Sequence, residues 1–314
     1  MADGKIRRRG RIPQTFIYLG KLFRMFIFQS DWKVLPMSAV IAGLVAFAVG
    51  ANLYRTMEGT LTGCFALALV CIWNGFFNSI QTICRERAII KREHRSGMHI
   101  TAYVAAHMIY QAFLCILQAG IMIAVLSTMN VKIPDKSLIT GYPVVDFAIA
   151  LFLIMYCADM LALMVSAFCR TTTAAMTVMP FLLIVELVFS GAFFSLPEEA
   201  MFLTNLTASK WGVTTLCSQG DYNSLPMVSV WNSVVKMKDM ELEGEKPIQE
   251  ALIYVEENDM RDKFLMDTAS QNQKPEYNFD ADIPIKCWGV LVLWTFVYVA
   301  IAITALEFID RDRR

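Results

Sequence analysis

Six apolar runs, at residues 34–53, 61–82, 103–129, 144–168, 174–195 and 286–307, dominate this chain. A helix rises about 1.5 Å per residue, so about 20 such residues cross the roughly 30 Å hydrocarbon layer of a bilayer. One run of this kind also suits the core of a soluble domain; six in 314 residues do not. Hydrophobic residues make up 56% and charged residues 18%, against about 25% charged in a soluble domain. This argues against a soluble enzyme and rules out a disordered chain. The expected fold class is all-α integral membrane, with six transmembrane helices.

The net charge is zero, so the chain has no global basic field for nucleic acid. The distribution of charge carries the information instead. Lys5, Arg7, Arg8, Arg9, Arg11, Lys21, Arg24 and Lys33 precede the first run. Arg85, Arg87, Lys91, Arg92 and Arg95 lie between the second and third, Arg170 between the fourth and fifth, and Arg311, Arg313 and Arg314 after the sixth. The opposite short loops hold only Arg55, Lys132 and Lys136. By the positive-inside rule both termini are expected in the cytoplasm, in a multi-pass protein of the plasma membrane.

Four segments follow. Residues 1–33 form a cytoplasmic N-terminus in which Phe16, Leu19, Phe23 and Phe26 share a helical face, as an amphipathic interfacial helix would. Residues 34–195 hold spans one to five, with a cytoplasmic loop at 83–102. Residues 196–285 form a large outer loop between spans five and six, with 16 Asp/Glu against 7 Lys/Arg. Such length implies structure of its own, including an amphipathic helix opened by Pro247. Residues 286–314 are span six and a basic cytoplasmic tail.

Catalytic signatures are missing. There is no G-x-x-x-x-G-K-[ST] phosphate loop, no H-E-x-x-H and no G-x-S-x-G. The three His have no ligand set around them, so no metal site is expected. Of the eight Cys, only Cys217 and Cys287 fall in or beside the outer loop, where they could form a disulfide.

The segment from Cys84 to Gly97, Cys-Arg-Glu-Arg-Ala-Ile-Ile-Lys-Arg-Glu-His-Arg-Ser-Gly, continues span two as a densely charged helix. Glu86 and Glu93 lie two turns apart on one face, and Gly97 can end the helix. A positive-inside anchor with local ion pairs accounts for the Arg residues. The admixture of Glu exceeds what an anchor needs, and points to a rigid docking element for a cytoplasmic partner, with Glu86, Arg87, Arg92, Glu93 and Gly97 as its residues. Within the spans, Asp159 and Glu186 are costly and should face protein or water, as a substrate path or an interhelical lock. Glu186, about twelve residues into span five, is expected near the midplane. Asn74, Asn78 and Gln81 form a polar stripe on span two, open to the same two readings.

Phe77 to Tyr103 resembles the loop between spans two and three of type-2 ABC exporter permeases, most closely the G (white and pleiotropic drug resistance) subfamily. The matching positions are Glu86, Arg92-Glu93, Gly97 and Tyr103. Phe189-Ser190-Gly191-Ala192-Phe193-Phe194 resembles that family's signature at the end of span five, and Pro197, Leu203 and Trp211-Gly212 its re-entrant outer segment. The resemblance covers about residues 13–306. It implies an outer gate at Phe189, Ser190, Gly191 and Trp211, and a permease that works as a dimer with a second copy or a homologue in the lipid bilayer. It implies no cofactor in this chain: ATP and Mg would sit on a separate cytoplasmic ABC ATPase subunit, making the chain a non-catalytic, stand-alone part of an ATP-hydrolysing translocase. A non-transporting membrane scaffold or sensor, binding a ligand or partner through its acidic outer domain, is the alternative.

Overall fold

Helix α1 (Arg11–Phe28) precedes the first apolar run. The runs themselves form α2 (Val34–Val49), α3 (Met57–Ser79), α5 (Ile100–Thr128), α6 (Pro143–Phe168), α7 (Thr172–Val188) and α13 (Asp282–Glu307), with α4 (Thr82–Arg95) prolonging α3. Between α7 and α13 lie α8 (Met201–Thr204), α9 (Ala208–Gln219), α10 (Ser229–Lys236), α11 (Pro247–Glu257) and α12 (Arg261–Gln271). This computed structural model describes residues 10–28, 31–192, 194, 197, 199, 201–240 and 246–308, and among them every regular element is helical. The terminal basic residues Lys5, Arg7, Arg8, Arg9, Arg311, Arg313 and Arg314, and Phe193, lie outside the described residues.

Four stretches are long and apolar enough to cross a bilayer: Met57–Arg95, Ile100–Thr128, Pro143–Phe168 and Asp282–Glu307. Helices α2 and α7 are shorter, at 16 and 17 residues. The first apolar run outlasts its helix because residues 50–53 form a turn, of which Leu53 is buried. Tyr54 takes a left-handed φ of 55°, and its ring packs so closely on Gly220 that a Cβ there would lie 2.1 Å away. The fifth run also outlasts its helix, which stops at Val188, and Gly191 beyond it takes a φ of +71°.

Helix ends are set by local chemistry. The Thr56 and Thr171 hydroxyls cap α3 and α7 by accepting from Gly59 N and Ala174 N at 3.1 and 3.2 Å. Pro143 and Pro247 open α6 and α11, where a missing N–H costs nothing. Helix α4 ends as expected at Gly97 (φ +105°), with Met98 N donating to Glu93 O and Gly97 N to His94 O, both at 3.0 Å.

Helices α3 and α6 form the centre of the bundle, with α2, α7 and α9 packed on α3 and α5, α9 and α13 on α6. At Gly75 α3 meets the α6 backbone directly. A Cβ there would fall 2.4 Å from the Met155 carbonyl oxygen and 2.8 Å from the Asp159 nitrogen. Small residues let apolar helices approach this closely. Helix α9 is a wedge rather than a surface element: ten of its twelve residues are buried, against α3, α6 and α13. At the same end of the bundle, Trp231 of α10 is buried against Phe264 of α12. Glu58 at the start of α3 accepts from Ser229 N at 2.8 Å, fixing α10 to the bundle. Helix α11 forms where the sequence placed it and buries none of its residues.

Helix α1 departs from the simple interfacial picture. Leu19, Leu22, Phe23 and Phe26 pack on Ala106, Tyr110 and Leu114 of α5. The apolar residues left exposed are Ile12, Phe16, Ile17, Ile27 and Phe28. The apolar face read from the sequence is therefore largely a protein contact, and a second apolar stripe faces outward.

A candidate coupling surface and two buried carboxylates

Helix α4 is held on three sides. Lys21 of α1 binds both Glu86 carboxylate oxygens at 3.1 Å, and Tyr18 donates to Glu93 Oε2 at 2.7 Å. Burial first, then the Glu93 contact, push the Tyr18 phenol well above its usual range, so it stays a donor. Gln14 completes the joint, donating to Gly97 O at 3.3 Å and accepting from His99 N at 2.9 Å. On the opposite flank, Arg87 Nη1 donates to the carbonyls of Ala167 and Cys169 at 2.8 and 3.2 Å, at the C-terminus of α6. Ser166 Oγ accepts from Ile83 N and Cys84 N, both at 3.1 Å, satisfying two orphan donors at the start of α4. Tyr103, at the start of α5, reaches Glu86 Oε2 at 3.5 Å.

Glu86, Arg87 and Glu93 thus face α1 and α6, and of the sequence-derived set only Arg92 is exposed. Its neighbours on the open face are Arg85, Ala88 and Ile89. Sequence reasoning missed these three. The helical period carried part of the signal: if positions 86 and 93 turn inward, then 85, 88 and 92 turn out, whereas Ile89, three residues from 86 and four from 93, lies at the edge of the inward face by period and is exposed only because nothing packs there.

Asp159 is fully buried where α3, α5 and α6 meet. Ser79 Oγ donates to Oδ1 in a very short contact, while Asn78 Nδ2 and Cys115 Sγ donate to Oδ2 at 3.4 and 3.5 Å. Asn78 also exchanges hydrogen bonds with Gln118 at 2.8 and 3.1 Å, and Asn74 donates to Ser38 at 3.0 Å. The polar stripe therefore ties α3 to α2, α5 and α6. Gln81, its third member, lies apart at the start of α4.

Glu186 is not at the middle of its helix but in the last turn of α7. Its carboxylate accepts from Ala208 N at 3.3 Å and Ser209 N at 2.9 Å, and Ser209 Oγ donates to the Glu186 carbonyl at 2.6 Å. A buried acid thus caps the N-terminus of α9, where free N–H groups and the helix dipole favour negative charge. The neighbouring signature residues serve the same turn. The Phe189 carbonyl accepts from Thr207 Oγ1 at 3.1 Å, and Ser190 Oγ donates to Leu187 O at 2.9 Å. Trp211 Nε1 donates to Asn205 O at 3.0 Å.

Cys217 and Cys287 are both buried free thiols, so the suggested disulfide is not formed. Among the described residues, no group of three or more His, Cys, Asp or Glu could hold a metal ion.

A helical bundle with four bilayer-length apolar stretches and a charged, clamped extension of one of them defines a multi-pass membrane protein. The chain belongs to the ABC-2 type transporter family: the family profile matches residues 14–207, more than half of its length. The match runs from residue 14, within the first turn of α1, through α8 and stops at the residue before α9. Comparison with curated proteins finds no match. The chain therefore carries a transmembrane transport domain, which is not catalytic by itself.

Proposed function

We propose that the chain is the permease subunit of an ATP-driven exporter of the G-like type, and that a separate cytoplasmic ATPase binds the ATP and Mg. In this reading α2 and α7 complete six spans, both termini and α4 are cytoplasmic, and residues 196–285 lie outside. A second copy, or a homologue, supplies the other half of the pathway. The exposed apolar side of α7, with Phe181, Ile184 and Val185, suits such a partner or the bilayer.

The observation that carries the proposal is the construction of α4. Its acids and Arg87 are spent on α1 and α6, so it is rigidly mounted, while Arg85, Ala88, Ile89 and Arg92 remain open. A push on that face reaches α1 through Lys21–Glu86 and α6 through Arg87. Coupling needs different contacts in two states, and a mounted helix at the joint of three others transmits such a difference. A pull-down of the tagged chain in mild detergent, with an ATPase assay on the eluate, tests this. A co-purifying ATPase lost in Arg92→Glu supports the docking role. Unchanged ATPase recovery and transport in that variant would sink it.

A further inference from the structure

One cavity is left unused by this reading. It has a volume of about 230 Å³ and lies between the first two turns of α9 and of α13. Lys210, Trp211 and Thr214 of α9 and Lys286 of α13 line it, with Asn205 and Glu276 at its edges. Neither lysine has a carboxylate partner among the described residues: Glu276, the one acid on the lining, and Asp282, one turn before Lys286, pair with neither of them. Glu186, at the start of α9, is outside the lining and already accepts from Ala208 N and Ser209 N. Lys210 Nζ donates to Thr204 Oγ1 and Asn205 Oδ1 at 3.1 and 2.7 Å and lies 5.3 Å from the centre of the Trp211 ring, with one N–H to spare. A lysine only donates, so the bond fixes Oδ1 as the inner end of the Asn205 amide and leaves Nδ2 free. Thr214 is only 7% exposed, yet its hydroxyl makes no hydrogen bond within the protein. Nor is that hydroxyl sealed in; the enclosed and unpartnered hydroxyl of α9 is that of Thr215. Buried polar groups find partners in nearly all proteins, so an open, unpartnered hydroxyl beside two unpaired cations points to a ligand.

We infer that this cavity binds the phosphodiester headgroup of a phospholipid. The donors select the phosphate. Lys210, Lys286, Asn205 Nδ2 and Thr214 Oγ1 all offer hydrogens. A carboxylate has two oxygens to meet them, and a phosphodiester has four. With Glu276 counted, the lining carries one net positive charge. That suits a singly charged diester better than a monoester, which approaches two charges at neutral pH. Position selects the lipid. Helix α13 is a bilayer-length apolar stretch, so its first turns stand at headgroup depth, where Trp is common. Leu206 and Ile285, next to Asn205 and Lys286, are exposed and give the acyl chains an apolar surface to follow. The volume holds on the order of eight water-sized groups at ~30 Å³ each, enough for a phosphate and its glycerol. The proposal concerns binding alone and does not depend on coupling to an ATPase.

The test is photolabelling of the purified full-length protein, stripped of lipid, in a maltoside detergent that carries no phosphate. The probes are phosphatidylglycerol with a diazirine close to its ester and the matched diacylglycerol, with labelled peptides mapped by mass spectrometry. Phosphatidylglycerol should label the Trp211–Thr214 and Ile283–Cys287 segments and exceed diacylglycerol there by about tenfold, as one charge-assisted hydrogen bond requires. Lys286→Met and Thr214→Val, one removing a charge and one only a hydroxyl, should each lower phosphatidylglycerol labelling by about threefold or more and leave diacylglycerol labelling unchanged. Equal labelling by the two probes would overturn the inference, and is the result expected of lysines that merely anchor α13 at the interface. Labelling that both variants leave unchanged would overturn it too. If either variant fails to fold, the wild-type comparison of the two probes decides alone. Excess glycerophosphoglycerol, which has the headgroup without the chains, separates the sources. Displacement of the label would admit a soluble phosphodiester, and no displacement would reserve the site for a lipid; either result keeps the phosphodiester as the ligand.

Discussion

Glu186 and Ser209 are 23 residues apart, and the carboxylate of the first accepts the backbone N–H of the second at 2.9 Å. The pair joins the last turn of α7 to the first turn of α9. A glutamate that reads in sequence as an acid stranded in a span is a helix cap supplied by another helix. Replacing it with Leu leaves two buried N–H groups unmet, at a cost of about 1–3 kcal/mol each. Glu186→Gln keeps one acceptor and should lose less. Thermal unfolding in detergent, followed by Trp fluorescence, is expected to rank wild type above Gln above Leu; equal midpoints would refute the cap.

The Lys21–Glu86 bridge is half-exposed on the lysine side, so its strength is limited by solvent. A double-mutant cycle with Lys21→Met and Glu86→Gln should give a coupling of at most about 1 kcal/mol, weaker at high salt. Zero coupling would mean that α1 and α4 are held by Tyr18, Gln14 and apolar packing alone.

Arg87 and Arg92 are five residues apart and should behave differently. Arg87→Ala removes two hydrogen bonds from the end of α6 and should destabilise by about 1–2 kcal/mol. Arg92→Glu changes an exposed position and should alter stability by less than about 0.5 kcal/mol. Paired measurements of unfolding and ATPase recovery separate mounting from docking: Arg87→Ala moves the first, Arg92→Glu only the second.

Gly75→Ala should be among the most damaging small substitutions, because the added carbon meets α6 backbone, which cannot move aside. Gly120 is the control. Nothing lies within 4 Å of a Cβ there, so Gly120→Ala should be neutral or slightly stabilising. Expression and the monodisperse peak in gel filtration give the readout.

Cys169 is the one partly exposed thiol of the eight. Burial and the neighbouring Cys84 push it above the usual thiol range, with Arg87 pulling the other way. The thiolate is the reactive form, so alkylation should be slow at neutral pH and rise about tenfold per pH unit toward the pKa. A membrane-impermeant maleimide should label Cys169 only from the cytoplasmic side of sealed vesicles. Labelling from outside would invert the proposed topology.

Much of the architecture is legible in the linear order. All six apolar runs form helices, and Gly97 ends α4 through its left-handed backbone. Pro247 opens α11. Each of these depends on neighbours within a few residues. The charged run after span two is a helix, as its sequence reads, but the run itself does not say which of its faces is covered. Glu86 and Glu93 drew attention as charges and proved to be the inward side. Arg85, Ala88 and Ile89 drew none and form the open side with Arg92.

Apolarity over some twenty residues and the asymmetry of Lys and Arg are properties of the chain itself, and they determined a helical protein built for a bilayer. The destinations of its polar groups were decided by the tertiary fold. Glu186 meets Ser209, and Asp159 meets Ser79, Asn78 and Cys115. The reason is physical: a buried polar group must find its partner wherever packing brings a donor or acceptor within hydrogen-bond reach. Helix packing sets that proximity across tens of residues, and no periodicity along the chain records it.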